Sequence, residues 1–383
     1  MVSVTALGSD FRKDDVLVLL GAGASVEAGI PHSATMVRAI EQSVNDSNDW
    51  RGFNQLYNYV RSAIFYAEGI RGRFGADVPY NIERLVEVLD ELSRREEHPL
   101  YPFVGAWNPR LIQVAGDDFQ EVSKFREAIV ERLRRDWIEI SDYEKARYFD
   151  GLLRFQKELN HPLRVFTLNY DLCVEKISQN TDNELPERGF DEQRNWKWQL
   201  FEESEGNEKR LFLYKMHGSI DWFYEQATNR LTYSDSTSKI TSSQAALIFG
   251  TSYKLQYVDP FLFLVYEFRR WSLSAKLLVI IGYGFGDDHV NGILGQAIRQ
   301  RPDKKMVVVS PVTSEAGSDA ENKASREKWA ERILGKLGLD SSYRGSICIK
   351  DSTAKKFLEN QFSISEMGKL FPAPDPLFND IKV

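Results

Sequence analysis

Val16-Leu17-Val18-Leu19-Leu20 is an unbroken apolar run of strand length, and it passes directly into Gly21-Ala22-Gly23-Ala24-Ser25 and then Gly29-Ile30-Pro31. A strand that is apolar at every position, rather than at alternate ones, is one buried on both faces, as strands of parallel sheets are. Parallel neighbours cannot be joined by a tight hairpin and need a crossover, usually a helix. The small-residue turn after Leu20 is suited to starting one. This single segment therefore commits the chain to an α/β architecture.

The rest of the sequence extends that pattern. Apolar runs bounded by turn residues recur at 164–167, 211–216, 245–249, 277–281 and 306–310. All are expected to be strands buried on both faces. Helical spacing begins near Ser25 and returns over 171–179, so strands and helices alternate and a Rossmann-like parallel sheet is expected. Between residues 45 and 154 the strand signal disappears, and 81–95, 117–140 and 143–159 carry apolar residues at helical spacing.

The expected organisation is a discontinuous Rossmann-like domain (1–44 and 155–310) with a helical insertion (45–154). A C-terminal helical segment and extended tail (311–383) follow. Residues 181–210 read as an irregular surface excursion. Residues 313–326 are weakly patterned before a helix at 327–337. The tail, with Pro372, Pro374 and Pro376, could dock on a neighbour.

Charge and cysteine content exclude several function classes. With 49 Lys and Arg against 56 Asp and Glu, the net charge of −7 gives no overall attraction for nucleic acid. Arg132, Arg134 and Arg135 alternate with Glu131, Asp136 and Glu139, the pattern of a solvated helix face. Cys173 and Cys348, the only cysteines, can form neither a disulfide framework nor a four-thiolate zinc site. No metal site is expected. That usage fits a reducing cytoplasm, and the absence of a signal-peptide pattern or a membrane-spanning apolar run adds to the expectation of a cytoplasmic protein without membrane contact.

Polar and small residues collect where the apolar runs stop, which is where open α/β sheets bind ligands. Gly21 and Gly23 permit close backbone approach. The helix start beyond them offers unpaired N–H groups that suit a pyrophosphate, so a dinucleotide fits there; a strand-to-helix turn that binds nothing fits equally well. After the second run, Thr167-Leu168-Asn169-Tyr170-Asp171 presents a carboxamide able to order ribose hydroxyls or a water. Asp171 is open to two readings, catalytic carboxylate or helix cap.

His217, in Lys215-Met216-His217-Gly218-Ser219, is one of five histidines and follows the third run. An imidazole there suits proton transfer near neutrality, and a structural role is the alternative. Gly250-Thr251-Ser252 and the stretch Gly282-Tyr283-Gly284-Phe285-Gly286-Asp287-Asp288-His289-Val290-Asn291 complete the set, the latter open to reading as a loop capped by Asp287.

Together these segments resemble the sirtuin superfamily: Gly21-Ala22-Gly23-Ala24-Ser25 with Gly29-Ile30-Pro31, Thr167-Leu168-Asn169-Tyr170-Asp171, His217-Gly218 and Gly250-Thr251-Ser252, in that order. The Gly282 to Asn291 segment is similar to that of bacterial sirtuin-like antiphage proteins rather than of protein deacylases. Two departures separate the chain from the deacylases. Asp221 to Tyr233 reads as a plain β-hairpin where they carry a four-cysteine zinc ribbon, and His32-Ser33-Ala34-Thr35 stands where many carry an arginine.

The resemblance implies a sirtuin-like fold and NAD as substrate. Its contacts would come from Gly21, Ala22, Gly23, Ala24, Ser25, Thr167, Gly250, Thr251, Ser252, Gly282, Tyr283, Gly284 and Asn291. Asn169, His217 and Asp171 would be the catalytic groups of an NAD hydrolase releasing nicotinamide and ADP-ribose in antiphage defence. It further implies a homo-oligomer, low resting activity and a hexameric HerA-type ATPase partner. The rival expectations are an NAD-dependent protein deacylase and a non-catalytic subunit sensing NAD or ADP-ribose.

Overall fold

The computed structural model describes residues 11–75, 78–94, 109–116, 118–179, 185–202, 211–225, 227–242, 244–249, 259–301, 303–313 and 317–371. Their strands are β1 (Val16–Leu20), β2 (Leu163–Thr167), β3 (Leu211–Lys215), β4 (Gly218–Tyr224), β5 (Leu231–Tyr233), β6 (Ala245–Leu247), β7 (Leu277–Ile281), β8 (Lys305–Val309) and β9 (Ile347–Lys350).

Six strands pair in parallel in the order β3-β2-β1-β7-β8-β9. The chain builds outward from β1 to β3, then returns to the other side of β1 and builds outward again through β7, β8 and β9. This is the doubly wound Rossmann order, and its switch point lies between β1 and β7.

Side-chain alternation divides the core between the two faces of the sheet. Val16, Val18 and Leu20 face one apolar cluster, and Leu17 and Leu19 face the other. The first cluster takes in the helices Ser33–Asp46, Asn54–Ile70, Ile82–Ser93, Gln120–Arg132 and Asp150–Leu159. The 45–154 helices thus share the core of one sheet face. The helices Phe261–Ser274, Asp288–Gln300 and Asp319–Lys336 cover the other.

Several expectations are corrected. The run at 245–249 is not a parallel strand: β6 pairs antiparallel with β4 in a separate sheet of order β5-β4-β6. The hairpin expected from Asp221 to Tyr233 is present as β4 and β5, with Trp222 opposite Tyr233. The sixth parallel strand, β9, was not among the expected strands. Its residues after Ile347 are only half-buried, so the all-apolar signal is missing. The helix expected at 327–337 begins earlier, at Asp319, because Ser318 and Glu321 form a capping box.

The C-terminal segment packs closely on the helix Asp150–Leu159. Phe155 stacks on Phe362 with ring centroids 4.0 Å apart, and the Arg154 guanidinium donates to the Leu358 carbonyl at 2.6 Å. Part of the expected excursion, Phe190, Trp196 and Phe201, packs around Trp222 and Tyr214. Its described portion is anchored by aromatic contacts to the core.

The largest correction concerns Arg134. It is buried, in a π-helical turn (Leu133–Ile138), and donates to the carbonyls of Ile240 at 2.8 Å and Thr237 at 2.9 Å, with Ile220 O at 3.5 Å. A guanidinium out of water is held by carbonyl acceptors and by Glu131 at 3.5 Å. Arg132 and Arg135 retain partly exposed side chains, so the solvated-face reading holds for them alone.

Candidate functional site

The carboxyl ends of β1, β2, β3 and β7 carry most of the predicted residues. At the switch point the two loops touch through backbone. Gly21 N donates to Ile281 O at 2.9 Å and Gly23 N to Gly282 O at 2.8 Å. A Cβ on Gly21 would lie 2.6 Å from Tyr283 Cα, and one on Gly282, whose φ is +66°, would lie 2.1 Å from Ala24 N. These glycines are demanded by loop-on-loop packing. The helix after Gly21 is a seven-residue 3-10 helix (Ala22–Ala28), not the α-helix expected to open near Ser25. Ala22 and Gly23 are exposed; Ala24 and Ser25 are buried.

Beyond β2, a short relay joins three predicted residues. Asn169 Nδ2 donates to Gly21 O and to Ser25 Oγ, both at 3.0 Å, and Ser25 Oγ donates to Asp171 Oδ2 at 2.7 Å. The Gly21 carbonyl can only accept, so it fixes which end of the Asn169 carboxamide faces it. Thr167 Oγ1 accepts from Asn169 N at 3.0 Å and holds the turn. Asp171 Oδ1 accepts from Cys173 N at 3.0 Å, which caps the helix Cys173–Gln179. Both carboxylate oxygens are thus engaged, one in capping and one in orienting Ser25. The buried Lys215 ammonium donates to the Asp171 carbonyl and pairs with Glu175 at 2.9 Å, in line with Arg188 and Asp221 at 2.7 Å. Arg188 and Lys215 hold the Asp221 carboxyl below its ordinary range against the opposing effect of burial.

His217 emerges from the neighbouring strand at the equivalent level. Thr167 and Lys215 are register partners, and Asn169 and His217 each stand two residues beyond them. Adjacent strands lie about 4.8 Å apart, so the backbones of the two residues leave the sheet side by side. The imidazole is buried, with Nε2 3.5 Å from Asp287 Oδ2 and Nδ1 without a hydrogen-bond partner among the described residues. Asp287 was read from sequence only as a cap, which it is: Oδ1 accepts from His289 N and Val290 N at the start of the helix Asp288–Gln300. Its second oxygen faces the histidine.

The carboxamide and the imidazole line different cavities. Asn169, with Ser25, Asp171 and Tyr170, lines one of about 50 Å³, roofed from the 45–154 helices by Ile82, Glu83, Leu133 and Ile138. His217 and Asp287 line another of about 20 Å³ with His289. Tyr170 is near both groups. It lines the first cavity, its ring centroid lies 6.3 Å from that of His217, and its hydroxyl donates to Ile248 O at 2.6 Å. Tyr170 and Glu83 are the residues that sequence reasoning missed. The position of Tyr170 between Asn169 and Asp171 was the available signal; Glu83 offered none.

In the loop after β7, Tyr283 Oη donates to Asn291 Oδ1 at 2.9 Å and accepts from Asp287 N at 3.1 Å, while Asn291 Nδ2 donates to Phe285 O at 3.0 Å. These two predicted contacts are spent on bracing the loop that carries Asp287. Gly284 is exposed. Gly250, Thr251 and Ser252 lie outside the described residues. Among the described residues no cluster of His, Cys, Asp or Glu could hold a metal ion, and no helix is long and apolar enough to cross a membrane.

Comparison with known proteins gives one family match: residues 163–334 match the model of a SIR2-like domain. No curated protein matches. Among solved structures, a Sir2 homologue in complex with NAD is 14% identical, with 93% of this chain and 89% of that chain covered and a TM-score of 0.40. A mutant Sir2 homologue in complex with ADP ribose is 13% identical, with 93% and 92% covered and a TM-score of 0.41. The matched stretch runs from β2 into the helix Asp319–Lys336 and includes both Asn169 and His217. Residues 163–334 are thus similar to a SIR2-like domain, and they lie within a Rossmann-like parallel sheet.

Proposed function

We propose that the chain is an NAD hydrolase that cleaves the bond between nicotinamide and ribose. The observation that carries this reading is the placement of Asn169 and His217 at matched levels beyond β2 and β3, inside a SIR2-like domain. The dinucleotide would cross the switch point with its pyrophosphate near Gly21 to Ser25 and Gly282 to Gly284, and its nicotinamide ribose between the carboxamide and the imidazole. Nicotinamide leaves with the bonding electron pair, and water adds to the oxocarbenium-like sugar and loses a proton.

His217 takes up that proton, directly or through a ribose hydroxyl, with Asp287 steadying the resulting imidazolium. Asn169 fixes the ribose and the water, and Asp171 acts through Ser25 to hold the carboxamide in place. Because the two groups line separate cavities with Tyr170 near both, Tyr170 shifts before both reach one sugar. That requirement accords with a low resting activity released by assembly. Antiphage defence, a homo-oligomer and a HerA-type ATPase partner follow from the family resemblance and belong to this proposal.

The test is incubation of the full chain with NAD, with and without that ATPase, measuring nicotinamide and ADP-ribose. Asn169→Ala and His217→Ala should each lower nicotinamide release by about 10²–10⁴-fold. Wild-type rates in both variants would overturn the assignment. Release that depends on an acyl-lysine peptide would select a deacylase. Binding of intact NAD without release would select a sensing subunit.

A further inference from the structure

The largest cavity among the pockets described lies at the opposite edge of the sheet from Asn169 and His217. It measures about 1000 Å³ and is bounded by Lys13 and Asp14 before β1, Arg164 at the start of β2, and the helix Phe261–Ser274. This is the upper end of the range for ligand sites, at the amino ends of strands where the proposed chemistry has no use for it.

Its floor is built rigidly. The buried Arg164 guanidinium lies 3.5 Å from the centroid of the Trp271 ring, donates to Tyr214 Oη at 3.0 Å and pairs with Asp14 at 3.2 Å. Glu267, also buried, accepts from Trp271 Nε1 at 2.6 Å and pairs with Arg270 at 3.2 Å. The wall and rim are different in kind. Trp198, Leu262 and Tyr266 are 39%, 46% and 59% exposed, an unusual concentration of large apolar side chains in contact with water.

Charge decides what would settle there. The two arginines are each matched by a carboxylate, Arg164 by Asp14 and Arg270 by Glu267. Among the other described lining residues, Glu202 and Asp259 are exposed acids against Lys13. A ligand entering from solvent thus meets aromatic faces and, among the described lining residues, a carboxylate excess. Aromatic faces attract cations through their quadrupoles, and the two acids add to that attraction.

We propose that this cavity binds a peptide segment of another protein that carries arginine or lysine beside a large apolar side chain. The apolar group lies along Trp198 and Leu262, and the cation sits over Tyr266 within reach of Glu202 and Asp259. The proposal is independent of NAD cleavage.

The probe is a capped, fluorescein-labelled Arg-Trp-Leu-Arg peptide, titrated with the full chain and followed by fluorescence anisotropy, with Glu-Trp-Leu-Glu as the counterpart. The basic peptide should bind saturably and at least about tenfold more tightly than the acidic one, an advantage that declines with salt. The double substitution Glu202→Gln and Asp259→Asn should remove about tenfold of that affinity, and Tyr266→Ala a similar factor. All three side chains are exposed, so unchanged melting temperatures are expected. Equal or preferred binding of the acidic peptide, no binding of the basic one, or unaltered affinity in both variants would overturn the proposal.

Discussion

His217 and Asp287 form a buried pair across two chain segments 70 residues apart, with Nε2 and Oδ2 separated by 3.5 Å. The same carboxylate caps the helix that follows it through its other oxygen. Because asparagine caps helices about as well as aspartate, Asp287→Asn separates the two duties. NAD cleavage should fall by on the order of 10²-fold while the melting temperature stays near that of the parent chain. Steady-state nicotinamide release and a thermal melt check both halves; undiminished turnover would remove Asp287 from the mechanism.

Ser25 connects Asn169 to Asp171 through its hydroxyl. Ser25→Ala leaves a buried carboxylate oxygen and one amide proton without this partner, at a cost of about 1–3 kcal/mol. Urea unfolding should show that loss. If Asp171 acts through Ser25, Asp171→Asn and Ser25→Ala combined should depress turnover less than the sum of their separate effects.

Gly282 cannot acquire a side chain without displacing the chain around Gly23 and Ala24, since a Cβ would sit 2.1 Å from Ala24 N at a φ of +66°. Gly282→Ala should destabilise the fold by roughly 2–4 kcal/mol, combining overpacking with a left-handed backbone. Gly284→Ala, which meets nothing within 4 Å, should leave stability almost unchanged. Parallel melts of the two variants distinguish a packed contact from a flexible glycine loop.

Lys304 is fully buried, and burial pulls its ammonium down from 10.5 to about 7. Between those values the unfolded chain binds a proton that the folded chain does not, so stability from this group rises as pH rises from 7 toward 10.5. The slope approaches about 1.4 kcal/mol per pH unit at most. Lys304→Met should flatten the rise. Urea midpoints of both proteins at pH 7.0, about 7.8 and about 8.5 measure it.

The parallel strands were legible because burial on both faces leaves them largely apolar: β1 and β7 are apolar throughout, and β2, β3 and β8 depart from that only at Arg164, Thr167, Lys215 and Lys305. β6 misled for the same reason: an apolar run says that a strand is covered, not which strand it pairs with. β9 was hidden by its exposed edge position. Asn169 and Ser25 could be named from sequence, but the hydrogen bond between them depends on β1 lying beside β2. Arg134 was misread because an arginine in a charged helical stretch is ordinarily solvated, and its carbonyl partners lie about a hundred residues further along the chain.

That arginine gives the molecule a mechanical property. The helical layer supplying Ile82, Leu133 and Ile138 above the amide is pinned by one guanidinium to the sheet whose first strand begins immediately after the imidazole. A force applied to the outside of that layer reaches the flank of the crevice through this polar contact and through the apolar core that the helices share with Ile220 and Phe249. Arg134→Met would remove the polar part of that link and leave the apolar part, so that a binder gripping the helices would move roof and wall together less stiffly.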